Sequence, residues 1–154
     1  MTGVVNIQWS LKEFEHLTPS ELYAILQLRN EVFVVEQNCV FQDADDKDQQ
    51  CLHLMGWLEG ILVAYTRLVP PGVSYAEPSI GRVITSPSVR GSGAGKELMI
   101  RSISAVKKIY GDQPQRIGAQ LYLKRFYSSF GFIVAGEVYL EDGIEHIEMV
   151  LSPS

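Results

Sequence analysis

The chain is expected to fold as one α/β domain spanning residues 1–154, a mixed and mostly antiparallel sheet flanked by helices. Three observations lead there. Runs rich in β-branched residues alternate with two long helical patterns along the sequence. Two pairs of apolar runs are joined by tight-turn signals, Glu59-Gly60 and Asp142-Gly143. One run, Ile80 to Thr85, leads through Ser86-Pro87-Ser88 into a glycine-rich turn and then a helix.

Taken in order, Val4 to Trp9 alternates as a first strand. Thr18-Pro19-Ser20-Glu21 then has the form of a capping box with proline at the first helical position. Leu22, Ile25, Leu26, Val32 and Phe33 keep to one face of the helix that follows, which carries Arg29 to Gln37 at its far end. His53 to Leu58 and Ile61 to Val69 read as a hairpin. A second helix from Lys96 to Tyr110 places Leu98, Met99, Ile103, Val106 and Ile109 on one side, with Gly111 and Pro114 ending it. Arg116 to Gln120 is a short strand and Leu121 to Phe130 a short helix. Phe132 to Leu140 and Ile144 to Leu151 form a closing hairpin, giving the order β-α-β-β-β-α-β-α-β-β.

Composition excludes more than it selects. A chain of 154 residues with 46% hydrophobic and 20% charged residues has enough apolar side chains for a full core. A net charge of -5 argues against a nucleic-acid partner. No apolar run approaches the roughly 20 residues that span a bilayer, so no membrane association is expected. The first residues lack the pattern of a signal peptide, which points to the cytoplasm. Cys39 and Cys51 match no zinc spacing and read as free thiols. The polar stretch Gln42 to Gln50 fails as a calcium loop, because Asp48 and Leu54 stand where glycine and glutamate are needed. No metal site is expected, and the stretch is either a solvated acidic loop or a wall of an acceptor pocket.

The glycine turn, Arg90-Gly91-Ser92-Gly93-Ala94-Gly95-Lys96, is an anion cradle in form. Backbone N–H groups converge at a helix start that carries about half a positive charge. It is not a Walker A loop, since Arg90 and Glu97 occupy the positions of its first glycine and its Ser or Thr. The dinucleotide fingerprint also fails, at Lys96.

Arg90-x-x-Gly93-x-Gly95 resembles the Gln/Arg-x-x-Gly-x-Gly/Ala signature of the GNAT N-acetyltransferases, and Tyr127-x-x-x-Gly131-Phe132 resembles their C-terminal helix motif. The order of elements is similar too. Leu28 to Gln37, Ile80 to Val83 and Glu141 to Ile147 look like the ElaA-type branch over nearly the whole chain.

The resemblance implies direct acetyl transfer from acetyl-CoA to a primary amine on a small molecule or peptide, with a homodimer compatible. It implies that the backbone of Val83, Ile84 and Thr85 bonds the pantetheine arm. Arg90, Gly91, Ser92, Gly93, Ala94, Gly95 and Lys96 would hold the pyrophosphate. Gln120 stands where many of these enzymes place an asparagine on CoA. Tyr127 is the candidate acid for the departing thiolate, with packing beside Phe126 and Phe130 as the alternative. For the base, His146, Glu36, Glu137 and His53 are candidates, with a water chain left open. On the acceptor side, Arg29, Glu36 and His53 are expected; Arg29 either binds an acidic group or braces its helix. Two competing readings keep the glycine turn: a non-catalytic acyl-CoA sensor, and a transferase for longer acyl chains.

Overall fold

The computed structural model describes residues 6–154. Strand β1 (Gln8–Glu13) pairs antiparallel with β2 (Leu52–Leu58), β2 with β3 (Ile61–Val69), and β3 with β4 (Ser79–Thr85), a four-stranded sheet in that order. A second sheet is centred on β8 (Ile144–Leu151). On one side β8 pairs with β5 (Gln115–Gln120), and on the other with β6 (Ile133–Val134) and β7 (Tyr139–Glu141). The first strand begins later than the sequence suggests, and Val4 and Val5 lie outside the described residues.

The expected capping box forms: Glu21 N–H donates to Thr18 Oγ1 at 3.1 Å, and Thr18 N–H to Glu21 Oε1 at 2.8 Å. Helix α1 (Pro19–Arg29) then runs without a break into a π-helical turn, Asn30–Glu36. Helix α2 (Ala94–Tyr110) starts at Gly93, whose φ of 88° only glycine adopts without strain. Its buried face holds Leu98, Met99, Ser102 and Val106; at its end Tyr110 rather than the expected Ile109 packs on the core, and Ile109 is exposed.

Apolar burial fixes the layers. Ile25, Leu28 and Val32 pack on Met55, Tyr65 and Ile84 across one face of the first sheet. Helix α2 covers the other face and reaches both sheets. Leu98 meets Leu54 and Ala64 of the first, and Met99 and Val106 meet Ile117, Ala119 and Met149 of the second.

The expected strand Phe132 to Leu140 does not form as one piece. Ile133 and Val134 face Val150 and Met149, and Tyr139 faces His146. Four residues, Ala135 to Val138, therefore stand against two on β8, and the chain bows outward. All four are exposed, so no core contact holds them straight.

The two sheets meet between β4 and β5. Arg116 N–H donates to the carbonyl of Pro78 at 3.1 Å, and from there both strands set off in the same direction with no ladder between them. The outer edge of β4 is left without a strand partner among the described residues.

Candidate active site

Where β4 and β5 part, a cavity of about 990 Å³ opens, lined from both sheets, from the π-helical turn and from α3 (Lys124–Ser128). Its central wall is β4. Between the pairs Tyr65–Ile84 and Arg67–Gly81, Thr66 alone faces Arg82 and Val83, a β-bulge with Arg82 at a φ of 50°. Val83, Ile84 and Thr85 all line the cavity on the open edge. An unpaired strand edge bonds an extended ligand as it would a further strand.

The glycine turn follows at once. Gly91 and Gly93 have φ values of 84° and 88°, and a Cβ built on either would meet nothing within 4 Å. Space for an anion therefore exists above the turn. Ser92 donates from its hydroxyl to the Val89 carbonyl at 2.5 Å, and so acts within the turn. Gly95 sits where a Cβ would touch Thr85 and Phe126 at 3.9 Å each. Ala94 is buried beneath the helix start, and Lys96 is exposed beside it.

Arg90 lies at the cavity mouth. Its guanidinium donates to both carboxylate oxygens of Glu36, at 2.5 and 2.7 Å, and to the Thr85 carbonyl at 3.2 Å. Glu36 comes from the last position of the π-helical turn, and Arg90 holds its carboxyl below the usual carboxylate range. One residue on, Gln37 and Gln120 exchange amide hydrogen bonds at 3.0 and 3.3 Å across the gap between the halves of the molecule. Gln120 is thus at the cavity, and Gln37 is a partner that sequence reasoning missed.

Tyr127 is packed in the core and borders the cavity at once. Its ring is only 5% exposed, packed edge-on to Phe126 at 5.3 Å and Phe132 at 6.3 Å, yet the residue lines the cavity. Burial pushes its phenol well above its ordinary value, with the nearby Tyr122 adding to the effect. His146, from β8, also lines the cavity. Its Nδ1 lies 2.8 Å from the Ile144 carbonyl, an acceptor only, so Nδ1 carries the hydrogen. Nε2 lies 3.6 Å from the Glu141 carboxylate, and the ring stacks on Tyr139.

Two expected acceptor residues are elsewhere. Arg29 is fully buried, and its guanidinium is spent on Asp43 (2.6 Å) and Asp48 (2.7 Å), so it braces its helix rather than meeting a substrate. His53 is 1% exposed, held between the Tyr65 hydroxyl at 2.6 Å and the Asp48 carbonyl at 2.9 Å, and burial pushes its pKa down. Neither lines the cavity. Glu137 falls in the exposed bow between β6 and β7.

The polar stretch after the π-helical turn is not the solvated loop the sequence allowed. Asp43 and Asp48 are buried, and with Asp45 they close a network on three arginines from three elements. Arg67 on β3 binds Asp45 at 2.7 Å and Asp48 at 2.9 Å. Arg82 on the bulge lies 2.8 Å from Asp43, at an angle that makes an ion pair rather than a hydrogen bond. The only hint of this in the sequence was a pair of arginines inside otherwise apolar strands. Tyr75 and Tyr139 were also missed. Their hydroxyls come within 2.8 and 2.7 Å of where a Cβ on Gly118 would be, so any larger residue there would have to push them aside.

A splayed sheet, an open strand edge at the split and a glycine turn heading a helix define the acyl-CoA N-acyltransferase class of fold. The chain belongs to the GNAT acetyltransferases: the acetyltransferase (GNAT) domain matches residues 21–153. It falls in the ElaA-type branch, being 45% identical to protein ElaA of Escherichia coli over 145 residues, 93% of this chain and 95% of that one. The crystal structure of that protein superposes with a TM-score of 0.89, covering 96% of this chain and all of the other. An acyl-CoA N-acyltransferase from Pseudomonas aeruginosa superposes with a TM-score of 0.91 at 44% identity, again over 96% and 100%. A GNAT family acetyltransferase from Elizabethkingia anophelis with acetyl-CoA bound shares the fold at 15% identity and a TM-score of 0.68, over 96% of this chain and 98% of that one.

Proposed function

We propose that the protein transfers an acetyl group from acetyl-CoA to a primary amine by direct attack. The observation that carries this reading is the continuity of open edge and open cradle. The outer edge of β4 at Val83 to Thr85 has no strand partner among the described residues, and Gly91 and Gly93 leave room for a phosphate above the N-terminus of α2. Acetyl-CoA supplies the thioester that the amine attacks.

The chain's own residues account for the rest. The backbone of Val83, Ile84 and Thr85 holds the pantetheine arm, and residues 90–96 hold the pyrophosphate. Arg90 is exposed, and so is its bond to Glu36, a kind of pair worth no more than about 1 kcal/mol. It is therefore readily released to a phosphate. Gln120 exchanges its amide partner Gln37 for the pantetheine. His146 Nε2 takes the proton that the attacking amine must lose, and Glu141 stabilises the resulting imidazolium. Tyr127 gives its proton to the sulfur as the C–S bond breaks. Its raised pKa keeps the phenol protonated until then, and the same dry surroundings raise the proton affinity of the departing thiolate.

Calorimetric titration with acetyl-CoA tests the donor site. Wild-type protein should bind at micromolar affinity. Gly93→Asp should lose at least about a hundredfold, through repulsion of phosphate and strain at positive φ. Equal affinity in the two proteins would refute the assignment.

A further inference from the structure

The charges around the acceptor half of the cavity do not cancel. Asp45, Arg67 and Arg82 line it, but their charges close on one another and on Arg29, Asp43 and Asp48, three guanidiniums against three carboxylates. That network shapes the wall and leaves no net charge. Lys47, on the same wall, is different. It is half-buried, has no carboxylate within 4.0 Å among the described residues, and its Nζ lies 3.5 Å from the hydroxyl of Ser74, which also lines the cavity.

The wall contributed by the second sheet has the opposite excess. Glu141 and Asp142, at the β7–β8 turn, pair with no lysine or arginine among the described residues; only His146 approaches, at 3.6 Å from Glu141. The two ends are linked by the tyrosines over Gly118. Tyr75 follows Ser74 in the chain, and Tyr139 stacks on His146 at 5.7 Å. A cavity with an unmatched cation at one end and unmatched carboxylates beside the base at the other has a fixed polarity. A simple amine or a polyamine would leave Lys47 unanswered, or set a second cation against it.

We propose that the acceptor is an amino acid or a similar zwitterion, with its carboxylate on Lys47 and Ser74 and its amine toward Glu141 and His146. This rests on the acetyl-transfer reading above. It also relocates the expected acidic-group contact from Arg29, which is sealed in the core, to a lysine that faces the cavity.

The test is release of CoA from acetyl-CoA with a set of α- and ω-amino acids, each paired with the amine that lacks the carboxylate. Wild-type protein, Lys47→Gln and Lys47→Glu are compared, and acetyl-CoA binding is titrated in parallel. In at least one pair the carboxylate-bearing member should have a kcat/KM higher by about tenfold or more, as expected of one charge-assisted contact. Lys47→Gln should erase that ratio, and Lys47→Glu should reverse it, with acetyl-CoA affinity unchanged. The proposal fails if the preference survives Lys47→Glu. It fails alone, with the donor site intact, if acetyl-CoA binds and turnover is confined to carboxylate-free amines; if acetyl-CoA binds and no member of any pair turns over, it fails together with the transfer to an amine. If acetyl-CoA does not bind, the transferase reading fails first and this one with it.

Discussion

The glycine turn at Arg90 to Lys96 and the aspartate loop at Asp43 to Asp48 both border the cavity, yet they keep their shapes by different means. The turn is held by its own neighbours. Its positive-φ glycines, the Ser92 hydroxyl on Val89 and the start of α2 all lie within a few residues of one another. The loop is held by partners far away in the chain: Arg29 on α1, Arg67 on β3 and Arg82 on the bulge. A site built from local backbone keeps its geometry wherever the helix stands. One built from buried ion pairs depends on every member, because removing one leaves a charge stranded in a low dielectric.

The largest effect that separates the two should come from Asp48→Asn. Asp48 serves both Arg29 and Arg67, so its loss should cost about 3 kcal/mol of stability. In a chain of this size that lowers the melting temperature by roughly 10 °C. Acetyl-CoA affinity of the folded protein should be unchanged, and a parallel loss of affinity would show that the two regions are coupled. Next is Tyr127→Phe, which keeps the packing against Phe126 and Phe132 and removes the proton donor. Turnover should fall about a hundredfold with acetyl-CoA affinity intact, and full turnover would leave Tyr127 a core residue.

The smallest effect is a matter of pH. Burial alone would raise the carboxyls of Asp45 and Asp48. Arg67 on Asp45, and Arg29 and Arg67 on Asp48, more than reverse this and hold both below the usual range. Such a carboxyl adds stability that is complete above its unfolded value of about 4 and is lost as pH falls toward the folded one. Below pH of about 4 the melting temperature of the native chain should therefore fall faster than that of Asp48→Asn. Parallel curves would mean that the network does not bind its protons as the geometry implies.

This difference also decides what could be read from the sequence. Arg90-x-x-Gly93-x-Gly95, the capping box and the Asp142-Gly143 turn are short-range patterns, and each appears in the structure where the pattern puts it. Arg29 could be left only as either a brace or a substrate contact, since its partners enter 14 and 19 residues later from a segment with no periodicity. The strand expected from Phe132 to Leu140 failed for a related reason. Its apolar run was legible, but the register imposed by β8, which leaves four residues opposite two, was not.

The π-helical turn at Asn30–Glu36 makes the winding of its segment a specification. Each residue of an α-helix advances the side chains by about 100° around the axis, and a turn closed by i→i+5 bonds takes up one residue more than an α-helical one. Rewinding the same residues as α-helix would therefore swing Glu36 and Gln37 by about that angle, away from Arg90 and Gln120 together. The two cross-cleft contacts are in phase with the cavity only while the wide turn holds its extra residue. A change that tightens the turn breaks both contacts at once while leaving Glu36 and Gln37 chemically unchanged.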